Sequence, residues 1–145
     1  MYDVVIIGAG IVGAMTAREL SKYNLKICVA EKENDVAMGA TKANSAIVHA
    51  GFDAKPNTLK AKLNVKGSEM MEKTAHELGV SYENNGSLVV GFCDEDEETI
   101  KNLYEQGLKN GVKGIKIIGK DELLCLEPNI SDTAVCALYA PSGAI

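Results

Sequence analysis

The stretch VVIIGAGIVGA, residues 4–14, constrains the fold of this chain more than any other feature. Its first four residues form an apolar, β-branched run, which predicts a buried parallel strand. Gly8, Gly10 and Gly13 follow in the spacing G-x-G-x-x-G, and a helical segment and a second apolar run at residues 26–30 come next. A strand, a glycine-rich turn, a helix and a second strand in this order predict a βαβ unit of the kind that binds dinucleotides.

The three glycines and an acidic residue after the second strand each have a physical role in such a unit. Gly8 permits the tight turn, Gly10 lets the backbone approach a pyrophosphate, and Gly13 lets helix and strand pack closely. The helix N-terminus offers N–H groups and a positive dipole end to the phosphates. Glu31 stands 18 residues after Gly13, where a carboxylate accepts a ribose hydroxyl and disfavours the extra phosphate of NADP. These residues favour FAD or NAD; the alternative is a glycine-rich turn in any doubly wound α/β protein.

Composition excludes several classes of protein. The 145 residues suffice for one domain, and 46% of them are hydrophobic, which is enough for a core. A net charge of −5 argues against a nucleic-acid partner. No apolar run reaches the length of a membrane span, and the first residues do not have the pattern of a signal peptide.

The four cysteines are scattered through the chain without a C-x-x-C pair. This spacing predicts neither a disulfide framework nor a zinc site, and we expect no bound metal. Reduced thiols of this kind are typical of a cytoplasmic protein, which is the location that we expect. The positions are Cys28, Cys93, Cys125 and Cys136.

The second half of the chain changes from parallel-type to meander-like β structure. A long helix is expected from residue 58 to 78, between Pro56-Asn57 and Gly79. The later patterns predict four strands and two helices, namely strands at residues 81–83, 86–92, 115–118 and 134–139 and helices at 94–108 and 120–126. Two strands of parallel type are too few for a complete dinucleotide fold, so we expect this chain to be a fragment of a longer enzyme.

The chain resembles the FAD-dependent oxidoreductases of the D-amino-acid-oxidase type. It is most similar to the branch with FAD-dependent glycerol-3-phosphate dehydrogenases and L-2-hydroxyglutarate oxidases. Five segments carry the resemblance: YDVVIIGAGIVGAMTARELSKY, ATKANSAIVHAGFDAKPNTLKAKLNVKG, NGSLVVGF, LEPNIS and ALYAPSGAI. The resemblance implies an α/β fold, a Rossmann-like FAD/NAD(P)-binding domain with part of a second, α+β substrate domain. Residues 1–79 would form the FAD-binding βαβ unit and flavin loop, and residues 80–145 the beginning of an incomplete substrate-binding domain.

The resemblance also implies FAD as cofactor and assigns roles to residues. Glu31 would contact the adenosine ribose, residues 40–45 would form a second flavin loop, and His49 would lie near the flavin ring, where it orients substrate or handles a proton. Without the resemblance, His49 is better interpreted as a loop histidine whose hydrogen bonds the backbone satisfies. The expected cofactor-binding residues are Gly8, Gly10, Ile11, Val12, Gly13, Glu31, Lys32, Thr41, Asn44 and Ser45.

The function that follows is oxidation of sn-glycerol 3-phosphate to dihydroxyacetone phosphate by the longer enzyme, with the fragment inactive alone. One alternative is oxidation of L-2-hydroxyglutarate or another 2-hydroxy acid, and a further one is an amine oxidase of the glycine-oxidase kind. A different class is a non-catalytic dinucleotide-binding module. The expected partner is a small anionic substrate, without nucleic acid or a membrane span, and the sequence leaves the oligomeric state open.

Overall fold

The computed structural model describes residues 1–145. The chain forms two compact units, Met1–Ser45 and Ala46–Ile145. This division falls earlier than the domain boundary expected after residue 79. The long helix expected at residues 58–78 therefore belongs with the second unit. The assignment of residues 80–145 to a substrate-binding domain stays a prediction.

The first unit is the βαβ unit expected from the glycine motif. It consists of β1 (Val4–Ile7), α1 (Ile11–Leu20) and β2 (Ile27–Ala30). The strands are parallel, and their register pairs Val4 with Ile27 and Ile7 with Ala30. Beyond β2, as far as Ser45, the chain forms bends and turns without a helix or strand.

One face of this small sheet has no covering element within the unit. Val4 and Ile6 are half-buried, whereas Val5 and Ile7 are exposed, Ile7 to 92%. Alternate residues of a strand point to opposite faces, so Val5 and Ile7 share the uncovered one. Parallel sheets are normally buried on both faces, and β1 pairs along one edge only.

The second unit contains α2 (Leu59–Leu78), β3 (Ser87–Gly91), α3 (Asp94–Asn110), β4 (Lys116–Gly119), α4 (Lys120–Leu126) and β5 (Cys136–Ala140). Thr58 caps α2, because its Oγ1 accepts from the Ala61 N–H at 3.2 Å. Gly79 ends this helix with a left-handed backbone. Four acidic residues occupy the first turn of α3, where they complement the helix dipole. No helix of the chain has the length and apolar character needed to cross a membrane.

Strand β5 lies at the centre of an antiparallel sheet in the order β3-β5-β4. Its residues are buried on both faces: Leu138 belongs to a cluster with Ile100 and Ile115, while Ala137 belongs to a second cluster with Leu123. The core of the second unit is therefore built around a strand that pairs with two neighbours.

The strand expected at residues 81–83 is absent, and that prediction was wrong. The segment is extended without a ladder of pairs, although Glu83 and Ile145 exchange two backbone hydrogen bonds of 2.8 and 2.9 Å. A single pair of this kind does not make a strand. The other expected helices and strands are present, with ends that differ by one to two residues.

Candidate cofactor site

The glycine-rich turn between β1 and α1 has a shape that other residues would disrupt. Gly8 has φ of 98°, in the region that favours glycine, and its N–H donates to the Ala30 carbonyl at 2.8 Å. A Cβ on Gly13 would lie 2.0 Å from the Gly8 carbonyl oxygen and 3.3 Å from Cγ2 of Ile6. The first turn of α1 thus packs directly on the loop and on β1, so the site requires glycine at position 13.

The N-terminus of α1 presents free donors. The N-cap residue is Gly10, which has no side chain to cap the helix, and the first turn contains no acidic residue. No protein acceptor is recorded for the N–H groups of Gly10, Val12 and Gly13. Donors of this kind at the positive end of a helix bind anions such as phosphate.

Residues after β2 return to this N-terminus. Thr41 Oγ1 accepts from the Ile11 N–H at 3.0 Å, and a Cβ on Gly10 would lie 3.1 Å from the same oxygen. The side-chain amide of Asn44 donates to the Thr41 carbonyl. The expected second loop therefore contacts the first through a hydroxyl group and a close backbone approach.

These two loops line an open cleft of about 520 Å³. Most of the expected cofactor-binding residues lie in its lining: Gly8, Gly10, Ile11, Val12, Gly13, Thr41 and Asn44. Ala40 also lines the cleft and belongs to the loop expected at residues 40–45, whereas Ile6, Ile7 and Thr16 line it and were not among the expected residues. Thr16 stands three residues after Gly13 on the same helix face, a spacing from which it could have been found.

Glu31 lies beside the cleft and accepts three backbone hydrogen bonds. Its Oε2 accepts from the Ala9 N–H at 2.7 Å, and its Oε1 accepts from Lys32 and Glu33 at 2.8 and 3.1 Å. These donors, Ala9 first, hold the pKa of the carboxyl group below its usual value. Glu31 therefore stays ionised while it ties the glycine loop to the end of β2.

Three other expected residues do not line the cleft. The Lys32 ammonium group pairs with Glu33 at 3.3 Å on the surface, and Ser45 is exposed. His49 belongs to the second unit and is also exposed; its carbonyl accepts from the Asn64 side chain at 3.1 Å. The cofactor or catalytic roles of these three residues stay predictions.

The chemistry of the cleft fits the pyrophosphate of a dinucleotide. Its donors are uncharged backbone N–H groups, the Thr41 hydroxyl accepts from the Ile11 N–H at the same helix end, and a Cβ on Gly10 would crowd that hydroxyl. The ionised carboxylate of Glu31 lies beside the cleft, where it accepts from the Ala9 N–H. The residues present are those that would hold such a group.

Comparison with known proteins places the chain among flavoenzymes. A relative from Caloramator mitchellensis, glycerol 3-phosphate dehydrogenase, is 54% identical over the whole chain, which covers 30% of that protein. The mitochondrial L-2-hydroxyglutarate dehydrogenase of Dictyostelium discoideum is 43% identical, again over the whole chain and 33% of the relative. The chain thus spans about a third of the length of these curated relatives.

A solved structure shares the fold. It is that of dithionite-reduced L-alpha-glycerophosphate oxidase from Mycoplasma pneumoniae with FAD bound, which superposes with a TM-score of 0.89 at 31% identity. The match covers 99% of this chain and 38% of that one. It confirms the expected α/β, Rossmann-like fold class.

Residues 3–145 match the sequence profile of the family described as FAD dependent oxidoreductase. This match confirms the resemblance to that family and FAD as its cofactor. The chain therefore belongs to the FAD dependent oxidoreductase family.

Proposed function

We propose that this chain is part of a longer flavoenzyme that oxidises sn-glycerol 3-phosphate to dihydroxyacetone phosphate. The observation that carries the proposal is the 54% identity to a glycerol 3-phosphate dehydrogenase along the entire chain. The uncovered face of the β1–β2 sheet supports a longer protein, because exposed apolar residues of a parallel sheet need a covering layer.

The residues of the cleft would bind the pyrophosphate of FAD. The N–H groups of Gly10, Val12 and Gly13 would donate to phosphate oxygens, with Thr41 and Asn44 on the opposite side of the cleft and Glu31 at the ribose. Lys32 and Ser45 would make further contacts with the cofactor from the ends of the same loops. When bound, FAD accepts the hydride equivalent from the alcohol carbon.

His49 would handle the proton of the substrate. Oxidation of a secondary alcohol also releases the hydroxyl proton, and an imidazole accepts a proton near neutral pH. The carbonyl of His49 accepts from the Asn64 side chain, and the residue is exposed.

A second candidate substrate is L-2-hydroxyglutarate, or another 2-hydroxy acid. The observation that favours it is the 43% identity over the whole chain to an L-2-hydroxyglutarate dehydrogenase. Both substrates are anionic secondary alcohols, so the same proton and hydride chemistry serves either. The cytoplasmic location stays part of the proposal and is supported by four unpaired cysteines.

An absorption spectrum tests the proposal. We expect the full-length protein to show the visible bands of bound flavin, and anaerobic addition of sn-glycerol 3-phosphate to bleach them faster than L-2-hydroxyglutarate does. Bleaching by the hydroxy acid alone would support the second candidate. Flavin that neither substrate reduces would contradict both, and a protein that binds neither FAD nor NADH would contradict the dinucleotide site itself.

Replacement of His49 by alanine tests its role. We expect turnover to fall about 10²–10⁴-fold, the usual range for loss of a general acid or base, while flavin content is unchanged. The fold should survive, because the recorded contact of His49 is made by its carbonyl group. His76→Ala is the matched control, since His76 is exposed on α2. Full activity in His49→Ala would mean that His49 is an ordinary loop histidine.

A further inference from the structure

Glu31 makes contacts that a purely ribose-binding acid does not need. Its Oε2 bonds the N–H of Ala9, 22 residues earlier, and its Oε1 bonds two N–H groups of the turn that follows β2. The carboxylate thus joins the glycine loop after β1 to the turn after β2.

We propose that Glu31 is a positioning residue that fixes the glycine loop in its anion-binding shape, independently of any contact with the ribose. This inference rests on the proposed binding of the FAD pyrophosphate by the loop. In this inference the Ala9 N–H bonds Glu31 and holds the loop in shape, so the first N–H group that is available to a phosphate is that of Gly10.

The peptide groups on both sides of Ala9 are held from outside the loop. The Ala9 N–H donates to Glu31 at 2.7 Å, and the Ala9 carbonyl accepts from the Ala37 N–H at 3.1 Å. On the preceding side, the Gly8 N–H donates to the Ala30 carbonyl. Of these contacts, only the one from Glu31 is made by a side chain, so a point mutation can remove it selectively.

Removal of the carboxylate would leave the Ala9 N–H without its acceptor. Ala9 is nearly buried at 9% exposure, and a donor left unsatisfied in such a place costs more than the hydrogen bond contributed. The loop would relax toward water, and the ordered row of donors that follows it would be lost. Anion binding would then weaken even for a ligand that lacks ribose hydroxyls.

Two substitutions disrupt the contacts of Glu31. Glu31→Gln replaces one acceptor oxygen by an NH₂ group, which faces either the Ala9 N–H or the N–H pair of Lys32 and Glu33, and a donor then opposes a donor. Glu31→Asp keeps the charge but shortens the reach toward Ala9. Glu33→Gln is the matched control, because it removes a charge two residues away whose recorded side-chain partner is the exposed Lys32.

The experiment compares two nucleotides on the flavin-free, full-length protein by calorimetry: ADP, and 2′,3′-dideoxy-ADP, which lacks both ribose hydroxyls. We expect Glu31→Gln and Glu31→Asp to weaken both ligands by a similar factor, roughly tenfold or more, and Glu33→Gln to change neither. A loss confined to ADP would overturn the inference and leave Glu31 as a ribose ligand. Failure of the unchanged protein to bind either nucleotide would overturn the proposed site as well.

Hydrogen exchange supplies a readout without ligand. In the flavin-free protein, the peptide that covers residues 4–14 should exchange faster in Glu31→Gln than in the unchanged protein or in Glu33→Gln. Peptides from the second unit should be unchanged, which shows that the variant is folded. Equal protection of residues 4–14 in all three proteins would overturn the inference.

Discussion

Replacement of Gly13 by alanine is expected to abolish most of the flavin affinity of the full-length protein. The added methyl group would lie 2.0 Å from the Gly8 carbonyl oxygen, a backbone atom, and 3.3 Å from Ile6. Since the clash is with backbone, helix and loop must move apart. Overpacking of this kind costs about 1–3 kcal/mol, which corresponds to roughly a fivefold to 150-fold loss of affinity if it falls on the bound state. Fluorescence titration of the flavin-free protein with FAD measures the loss of affinity.

Gly67→Ala is the control for this prediction. Gly67 lies inside α2, and a Cβ there would meet no atom within 4 Å. Alanine is the better helix former by about 1 kcal/mol, so this variant should be slightly more stable and bind FAD normally. Normal flavin affinity in Gly13→Ala would show that the loop tolerates displacement and would contradict the pyrophosphate assignment.

Replacement of Leu138 by alanine is expected to cause a large loss of stability. Leu138 is 0% exposed in the central strand β5, where it packs in a cluster with Ile100, Val112 and Ile115. Truncation of such a residue removes transfer free energy and leaves a cavity, at a cost of about 2–5 kcal/mol. Urea denaturation followed by circular dichroism measures the change, because the chain has no tryptophan to report it.

Ile117→Ala provides the comparison, since Ile117 is the cross-strand partner of Leu138 on β4. Ile117 is 39% exposed, so its truncation removes less buried area and should cost clearly less. An equal loss for the two variants would mean that the core of the second unit does not depend on β5 as the structure indicates.

The parts of the fold that could be predicted depend on local signals. The βαβ unit follows from an apolar run, three spaced glycines and a second run, all close together in the chain. The end of α2 follows from Gly79. The prediction of a strand at residues 81–83 failed because the pairing of this segment depends on Ile145. This partner is far away in the sequence, and a local pattern does not reveal it.

The candidate site likewise has features that local signals predicted and others that they did not. Glycines at fixed spacing, together with the resemblance of residues 40–45 to a flavin loop, predicted most of the residues that line the cleft. The bond from the Ala9 N–H to Glu31 could not be predicted, because it depends on the direction in which a side chain leaves the end of β2. Ser45 was expected from the resemblance of residues 40–45 to a flavin loop, and both Ser45 and Lys32 lie outside the cleft lining.

The position of β5 has a consequence for synthesis of the protein on the ribosome. β3 and β4 do not pair with each other, and both wait for β5, which is the last of the three to be made. Until residues 136–140 emerge, two apolar strands have unpaired edges, and such edges favour aggregation. Closure of the sheet also requires contacts distant in sequence, which form slowly. The nascent chain therefore exposes these strand edges from the time β3 emerges until β5 has emerged and paired with both neighbours.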